Sequence, residues 1–336
     1  MTIPYRTRIA LGRLAIILLI LLLVGALIWG GWVFWLGRFV VYTQDGAKLD
    51  LSLSEEVPSG ELALPPVPGE TVVVTYNDTA AAVTTELGPL IGYYVEDSAL
   101  SGSIEQVKAD IQALPAGTAI MVNVKNIRGG FYYSSSVSET RSSSVDTEAM
   151  DEFIRWLKKS GMYTIACVPA LRDREYGLHH TVDGIHHSSR GYLWMDDLGC
   201  YWLNPASGGT LSYLTQIVNE VKSLGFNEVL LCDFAIPDSN NIYFDGDKAQ
   251  ALTNAANTIV TSCASGSFTV SFMGSNFTLP EGRCRLYLQD VAPSGINAAV
   301  EASGVSDPLI GLVFVTTLYD TRFEEYSALR PLSSAH

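Results

Sequence analysis

Residues 161–173, GMYTIACVPALRD, and residues 224–237, LGFNEVLLCDFAIP, carry one pattern twice. A glycine closes an amphipathic helix, a short apolar run follows, and the run meets an acid, Asp173 in the first case and Asp233 in the second. Helices alternating with buried apolar strands build a parallel sheet.

The same unit recurs on both sides of this window. Upstream, LIGYYVEDSAL (90–100) reads as a strand reaching Glu96 and Asp97, and residues 103–115 as a helix with Ser103 and Gln106 placed for a capping box. TAIMVNVKN (118–126) is the second strand, with Asn123, Lys125 and Asn126 near its end. A loop with seven serines between Ser134 and Ser144 then leads to the clearest helix, in which Met150, Phe153, Ile154 and Leu157 fall at i, i+3, i+4 and i+7. Downstream, a helix over about 248–260 precedes the strands SFTVSFMG (267–274), CRLYLQDV (284–291) and IGLVFVTTLYD (310–320). Seven strands of this type can be assigned and the eighth cannot. The expected fold is therefore α/β, a TIM (β/α)8-type barrel that is incomplete or irregular, in keeping with the roughly 250 residues such barrels use.

The N-terminus sets the organisation around that barrel. Leu14 to Leu36 contains no charged residue and is long enough to cross a bilayer of about 30 Å as a helix. A cleaved leader would have a shorter apolar region, and Trp29, Trp32 and Trp35 suit an interfacial belt, so an uncleaved anchor is expected. Arg6, Arg8 and Arg13 precede the span and Arg38 alone follows it closely, which orients the N-terminus to the cytoplasm. The sequence thus divides into a cytoplasmic segment (1–13), a transmembrane helix (14–36), a linker (37–70) carrying Pro58, Pro65, Pro66 and Pro68, and an extracytoplasmic barrel (71–336). Thr71 onward, TVVVTYNDTAAAVTTE, is expected to add a hairpin or a strand at the barrel floor.

Four of the 21 basic residues and none of the 35 acidic ones precede Asp45, so the remainder carries 17 basic residues against 35 acidic, a formal charge of −18. That balance disfavours nucleic acid as a partner. The five cysteines show no CxxC and no structural zinc spacing. Cys167 and Cys232 read as small buried hydrophobes. A Cys263–Cys284 bond is open to an extracytoplasmic chain, and the odd count leaves at least one thiol unpaired.

A barrel's active site lies at the C-terminal ends of its strands. There the sequence collects Glu96, Asp97, Asn123, Lys125, Arg172, Asp173, Asp233, Asp290 and Asp320. Carboxylates dominate this set, and glycoside hydrolysis needs two of them, one protonated and one ionised. Asp233 stands out because an acid directly after VLLC is costly to bury without a purpose. Glu228 begins the same strand and is expected to be structural. The loop 178–207 holds His179, His180, His186 and His187 with Asp183, Asp196 and Asp197 nearby. Its HH dipeptides point adjacent rings apart and offer no HxxxH spacing, so no metal site is expected. Tyr192, Trp194, Tyr201 and Trp202 either stack on sugar rings or pack the loop against the barrel. The chain has no GxGxxG, no GxxxxGK[ST] and no GxSxG, so no cofactor is expected and nucleotide and serine-hydrolase chemistries fall away.

The run GMYTIACVPALRD, YWLNPAS (201–207), LGFNEVLLCDFAIP resembles a bacterial family of glycoside hydrolase-like TIM-barrel proteins, catalogued as a domain of unknown function and related in fold to α-amylase-like enzymes. The likeness runs from about Leu90 to about Asp320 and weakens after Pro237. It implies aspartates on the second strand where this chain has Asn123 and Asn126, and an arginine on the third where Cys167 stands, followed by a lysine-aspartate pair matching Arg172 and Asp173. On the fourth strand it implies an aspartate and an arginine at Cys232 and Ala235, which leaves Asp233 one place late. On the fifth, where an acid is implied, SFMG offers Ser271.

The functional expectation is a glycoside hydrolase-like domain acting on, or holding, a cell-envelope or extracellular polysaccharide such as a peptidoglycan glycan. Asp233 is the candidate nucleophile or charge stabiliser, Asp173 or Asp290 the acid/base, and Asp97, Asn123, Lys125, Trp194 and Trp202 the substrate contacts. A catalytically silent binding or scaffold protein on the same barrel is the alternative.

Overall fold

The structure, a computed structural model, describes residues 40–43, 46–49, 87–189 and 191–335. The expected membrane span, most of the linker and the stretch from Thr71 to residue 86 lie outside the described residues. Among the described residues no helix is long and apolar enough to cross a membrane. The chain divides into two compact units at Asn77 and Asp78. In the first, β1 (Val40–Thr43) and β2 (Gly46–Leu49) form an antiparallel hairpin inside the stretch read from sequence as linker.

The second unit is a closed barrel. Its strands are β3 (Ile91–Val95), β4 (Ala119–Asn123) and β5 (Tyr163–Pro169), followed outside the barrel by the short β6 (His186–His187). Then come β7 (Glu228–Phe234), the short β8 (Ile242–Tyr243), β9 (Thr269–Gly274), β10 (Leu286–Gln289), β11 (Leu312–Val315) and β12 (Ser327–Pro331). The eight barrel strands run parallel in chain order, β3-β4-β5-β7-β9-β10-β11-β12, and the ring closes where Ala328 to Pro331 of β12 pair with Ile91 to Tyr94 of β3. The eighth strand is thus SALRP, whose single apolar pair, Ala328 and Leu329, is too short to announce a strand by periodicity.

Two apolar layers hold the ring. Leu230, Ile165, Met121, Tyr287, Val313 and Leu329 fill its interior. Outside it, helix stripes pack on the outward strand faces, including Met150, Phe153, Ile154 and Leu157 of the helix Thr147–Leu157. Each such large side chain, taken fully from water, contributes about 1.5–3 kcal/mol. That helix starts where the Asp146 carboxylate accepts the Ala149 N–H. The helix Ile104–Gln112 forms half of the expected capping box. The Ser103 hydroxyl accepts the Gln106 N–H, but the Gln106 amide turns away and donates to Asp110.

The barrel floor is polar and saturated. Glu228, fully buried at the start of β7, accepts from Arg285 Nη1 at 2.5 Å, the Tyr287 hydroxyl at 2.7 Å and the Tyr163 hydroxyl at 2.8 Å. It is structural, as its position before the strand implies. All five cysteines are free, so the Cys263–Cys284 bond is not formed.

Candidate functional site

The rim of the barrel is reorganised at β7. Leu231 pairs with Phe272 and Phe234 with Gly274, so Cys232 and Asp233 together oppose Met273 alone, which is a β-bulge. Asp233 takes the extra place with φ 50°, a conformation that costs a non-glycine residue roughly 1–2 kcal/mol. The bulge sets Asp233 one position beyond the regular register of the strand. Gly274 is required opposite Phe234, because a Cβ there would strike the Phe234 carbonyl oxygen. Asp290, after β10, has φ 55°, so two of the three non-glycine residues with positive φ among the described residues are rim aspartates.

Asp233 is part-exposed, with Arg172 Nη1 4.0 Å from its Oδ1. Burial pushes its carboxyl above the ordinary carboxylate range, while Arg172 and Lys125 pull against that rise and Asp196 adds to it. Arg172 itself is committed elsewhere. Its Nε donates to Asp196 Oδ2 at 2.6 Å, its guanidinium lies 5.5 Å from the Trp202 ring centroid, and the Trp202 indole N–H donates to the same Oδ2 at 3.0 Å. The other oxygen of Asp196 accepts the Leu198 and Cys200 N–H groups, each at 2.9 Å. Burial raises the Asp196 carboxyl, but these hydrogen bonds outweigh it and hold it low.

Asp173 does not reach the rim. Neither it nor Lys125 has exposed side-chain surface, and they pair at 2.7 Å in the interior. Asp173 Oδ2 also accepts the Tyr213 hydroxyl at 2.9 Å, and its Oδ1 accepts the Tyr176 N–H at 2.9 Å, capping the helix Arg174–His179. The acid and the lysine that sequence placed in the site are a buried strut, holding the end of β5 to the segment after β4.

Of the remaining nominated residues, Asn123 and Asp290 line one cavity and Trp194 another. At the barrel mouth a cavity of about 260 Å³ is lined by Asn123, Asp290, Tyr94, Met121, Cys167 and Cys232, among others. Asp97 borders it through Asn123, whose amide donates to Asp97 Oδ1 at 2.9 Å, while the Tyr132 hydroxyl donates to Asp97 Oδ2 at 3.3 Å. Glu96 accepts the Ser333 hydroxyl, and Asp320 is taken up by Arg322 at 2.7 Å.

The second cavity, about 760 Å³, lies in the loop after β5. Trp194, Tyr192, Tyr201, His186 and His187 line it, and Asn241 closes it from the loop after β7. The two loops join where β6 and β8 pair antiparallel. Trp202 lies outside this cavity, so the two tryptophans part: Trp194 faces an open groove and Trp202 packs the Arg172–Asp196 clamp. The histidines do not converge, and among the described residues no group of three or more His, Cys, Asp or Glu is placed to hold a metal.

Sequence reading missed Tyr213, the hydroxyl that fixes Asp173, and it missed Asp196 as the clamp on Arg172. The latter had a local signal: in MDDLGC an aspartate two residues before a backbone N–H is an Asx turn. It also missed Glu220, whose carboxylate receives the hydroxyls of Tyr133, Ser135 and Ser136 and the Ser136 N–H, and so pins the serine-rich loop.

Residues 103–262 match the family described as "Putative glycosyl hydrolase domain". The glycosyl hydrolase-like match runs from the helix before β4 to the helix before β9, and so includes Lys125, Arg172, Asp173 and Asp233. No curated protein matches the chain. Similar solved structures include a hypothetical protein from Ruminiclostridium thermocellum ATCC 27405, 16% identical over 53% of this chain and 96% of that one, with a TM-score of 0.46. An inactive mutant of a GH20 exo-β-N-acetylglucosaminidase from Vibrio harveyi is 11% identical over 72% of this chain and 50% of that one, with a TM-score of 0.49. A GH31 family sulfoquinovosidase from E. rectale, in complex with an aza-sugar inhibitor, is 13% identical over 71% and 39%, with a TM-score of 0.47. The chain spans half or less of the length of these two enzymes.

Proposed function

We propose that this is a membrane-anchored, glycosyl hydrolase-like barrel that binds a cell-envelope or extracellular polysaccharide outside the membrane and does not cleave it. The observation that carries the reading is the state of Asp173. Hydrolysis needs a second carboxyl that exchanges protons beside the first. Asp173 has no exposed surface, and its oxygens are taken by Lys125, Tyr213 and the Tyr176 N–H. Asn123 stands on β4 where the family pattern implies an acid. Recognition falls to the Trp194–Tyr192–Tyr201 groove, whose aromatic faces and part-polar lining match the alternating apolar and hydroxyl surfaces of a sugar chain. The uncharged segment 14–36 and the arginines before it support a single span with a cytoplasmic N-terminus.

A second reading, retained hydrolysis by Asp233 with Asp290, draws on their shared left-handed backbone and on the raised carboxyl of Asp233. The full chain in detergent, incubated with peptidoglycan and a panel of common polysaccharides, separates the two. Co-sedimentation that Trp194→Ala weakens, without soluble sugar, supports binding alone. Sugar release that Asp233→Asn and Asp290→Asn each abolish supports hydrolysis, and neither retention nor release on any glycan rejects both.

A further inference from the structure

The mouth of the barrel carries an accumulation of sulfur that neither reading uses. The chain has five cysteines and six methionines, and four of these eleven side chains line the single cavity of about 260 Å³ at the strand ends. They come one each from four successive strands: Met121 on β4, Cys167 on β5, Cys232 on β7 and Met273 on β9. All four belong to the interior cluster of the barrel. The two thiols already touch, with the Cys167 S–H directed at the Cys232 sulfur across 3.4 Å. The β7 bulge sets this arrangement, since Cys232 and Asp233 share the place opposite Met273.

From this geometry we infer a binding site for a soft monovalent cation, copper(I), formed by the Cys167 and Cys232 thiolates with the Met121 and Met273 thioethers around them. Thiolate and thioether donors select copper(I). Zinc is disfavoured, since a structural site asks for four Cys or His ligands and this cavity offers two. Alanine or valine would fill the same interior positions, whereas sulfur alone gives the lining its affinity for soft metals. Binding is a ligand exchange without redox change. Each S–H bond breaks heterolytically, the electron pair stays on sulfur and is donated to copper, and two protons leave to solvent. The inference is independent of whether the barrel binds or cleaves a glycan.

The test is an anaerobic titration of the full chain in detergent with copper(I) against bicinchoninate, with X-ray absorption on the loaded protein. One copper per chain in a sulfur-only shell is expected. Cys167→Ser and Cys232→Ser should each weaken binding by at least the roughly 100-fold that an outer contact alone can cost, and Met273→Leu by roughly 10-fold. The other three thiols are internal controls, so Cys284→Ser should leave the affinity unchanged. Failure of the wild type to retain copper at one equivalent overturns the inference. So does undiminished binding by the Cys167→Ser/Cys232→Ser double variant with an unchanged circular dichroism spectrum, or a shell of nitrogen and oxygen.

Discussion

Replacing Asp173 with Asn removes the negative partner of a lysine that has no route to water. Lys125 and Asp173 are each without exposed side-chain surface and sit 2.7 Å apart. Among the described residues the ammonium's other hydrogen-bond acceptor is the Pro169 carbonyl oxygen at 3.4 Å. Breaking one side of a buried pair typically costs about 3–5 kcal/mol, because the surviving charge stays desolvated. For a barrel of this size each kcal/mol lowers the melting temperature by roughly 2–4 °C, so Asp173→Asn should melt about 6–20 °C lower than wild type. Removing both charges, as in Lys125→Met/Asp173→Leu, eliminates the stranded ammonium and should recover at least half of that loss. The residual deficit reflects the Tyr213 hydroxyl and the Tyr176 N–H left without their acceptor. Thermal melts of the three variants provide the measurement. A drop within about 2 °C for Asp173→Asn, together with lost sugar release or lost glycan retention, would refute the structural role and return Asp173 to the chemistry.

Three further outcomes follow from the rim. Asp233 is raised, so the folded state binds its proton more tightly than the unfolded chain, and wild-type stability falls as pH rises through that interval. Asp233→Asn should therefore be more stable than wild type at neutral pH, with the difference vanishing on acidification in pH-dependent melts. Glu220 behaves in the opposite sense, because hydrogen bonds from Ser135, Ser136 and Tyr133 outweigh burial and hold its carboxyl low. Its stabilisation is present above the ordinary carboxylate range and lost as pH falls through the lowered value. Glu220→Gln should cost roughly 1–2 kcal/mol at neutral pH and expose residues 134–144 to limited proteolysis. Trp194→Ala should reduce glycan retention with an unchanged melting temperature, whereas Trp202→Ala, which unseats the Arg172–Asp196 clamp, should lower the melting temperature.

Seven of the eight barrel strands were legible because each is an apolar run bounded by a glycine or a cap. Ser327–Pro331 was not, since its place is fixed by pairing with β3 rather than by its own composition. The site was less legible than the fold for a physical reason. A strand-end acid looks alike whether it faces water or a buried lysine, and Lys125 lies 48 residues before Asp173 with a loop, a helix and β5 between them. The bulge at Asp233 needed the register against β9 to be seen. The sulfur-lined mouth was hidden because cysteine and methionine read as ordinary apolar residues until four strands bring them together.

The claim that this barrel holds glycan without cutting it is tested most directly by one quantity, the rate at which new reducing ends appear from a retained polysaccharide. With a glycan that the full chain sediments with, the account predicts no release above the protein-free control, and identical traces for wild type and Asp233→Asn. Steady accumulation of reducing ends with wild type that disappears in Asp233→Asn would contradict it.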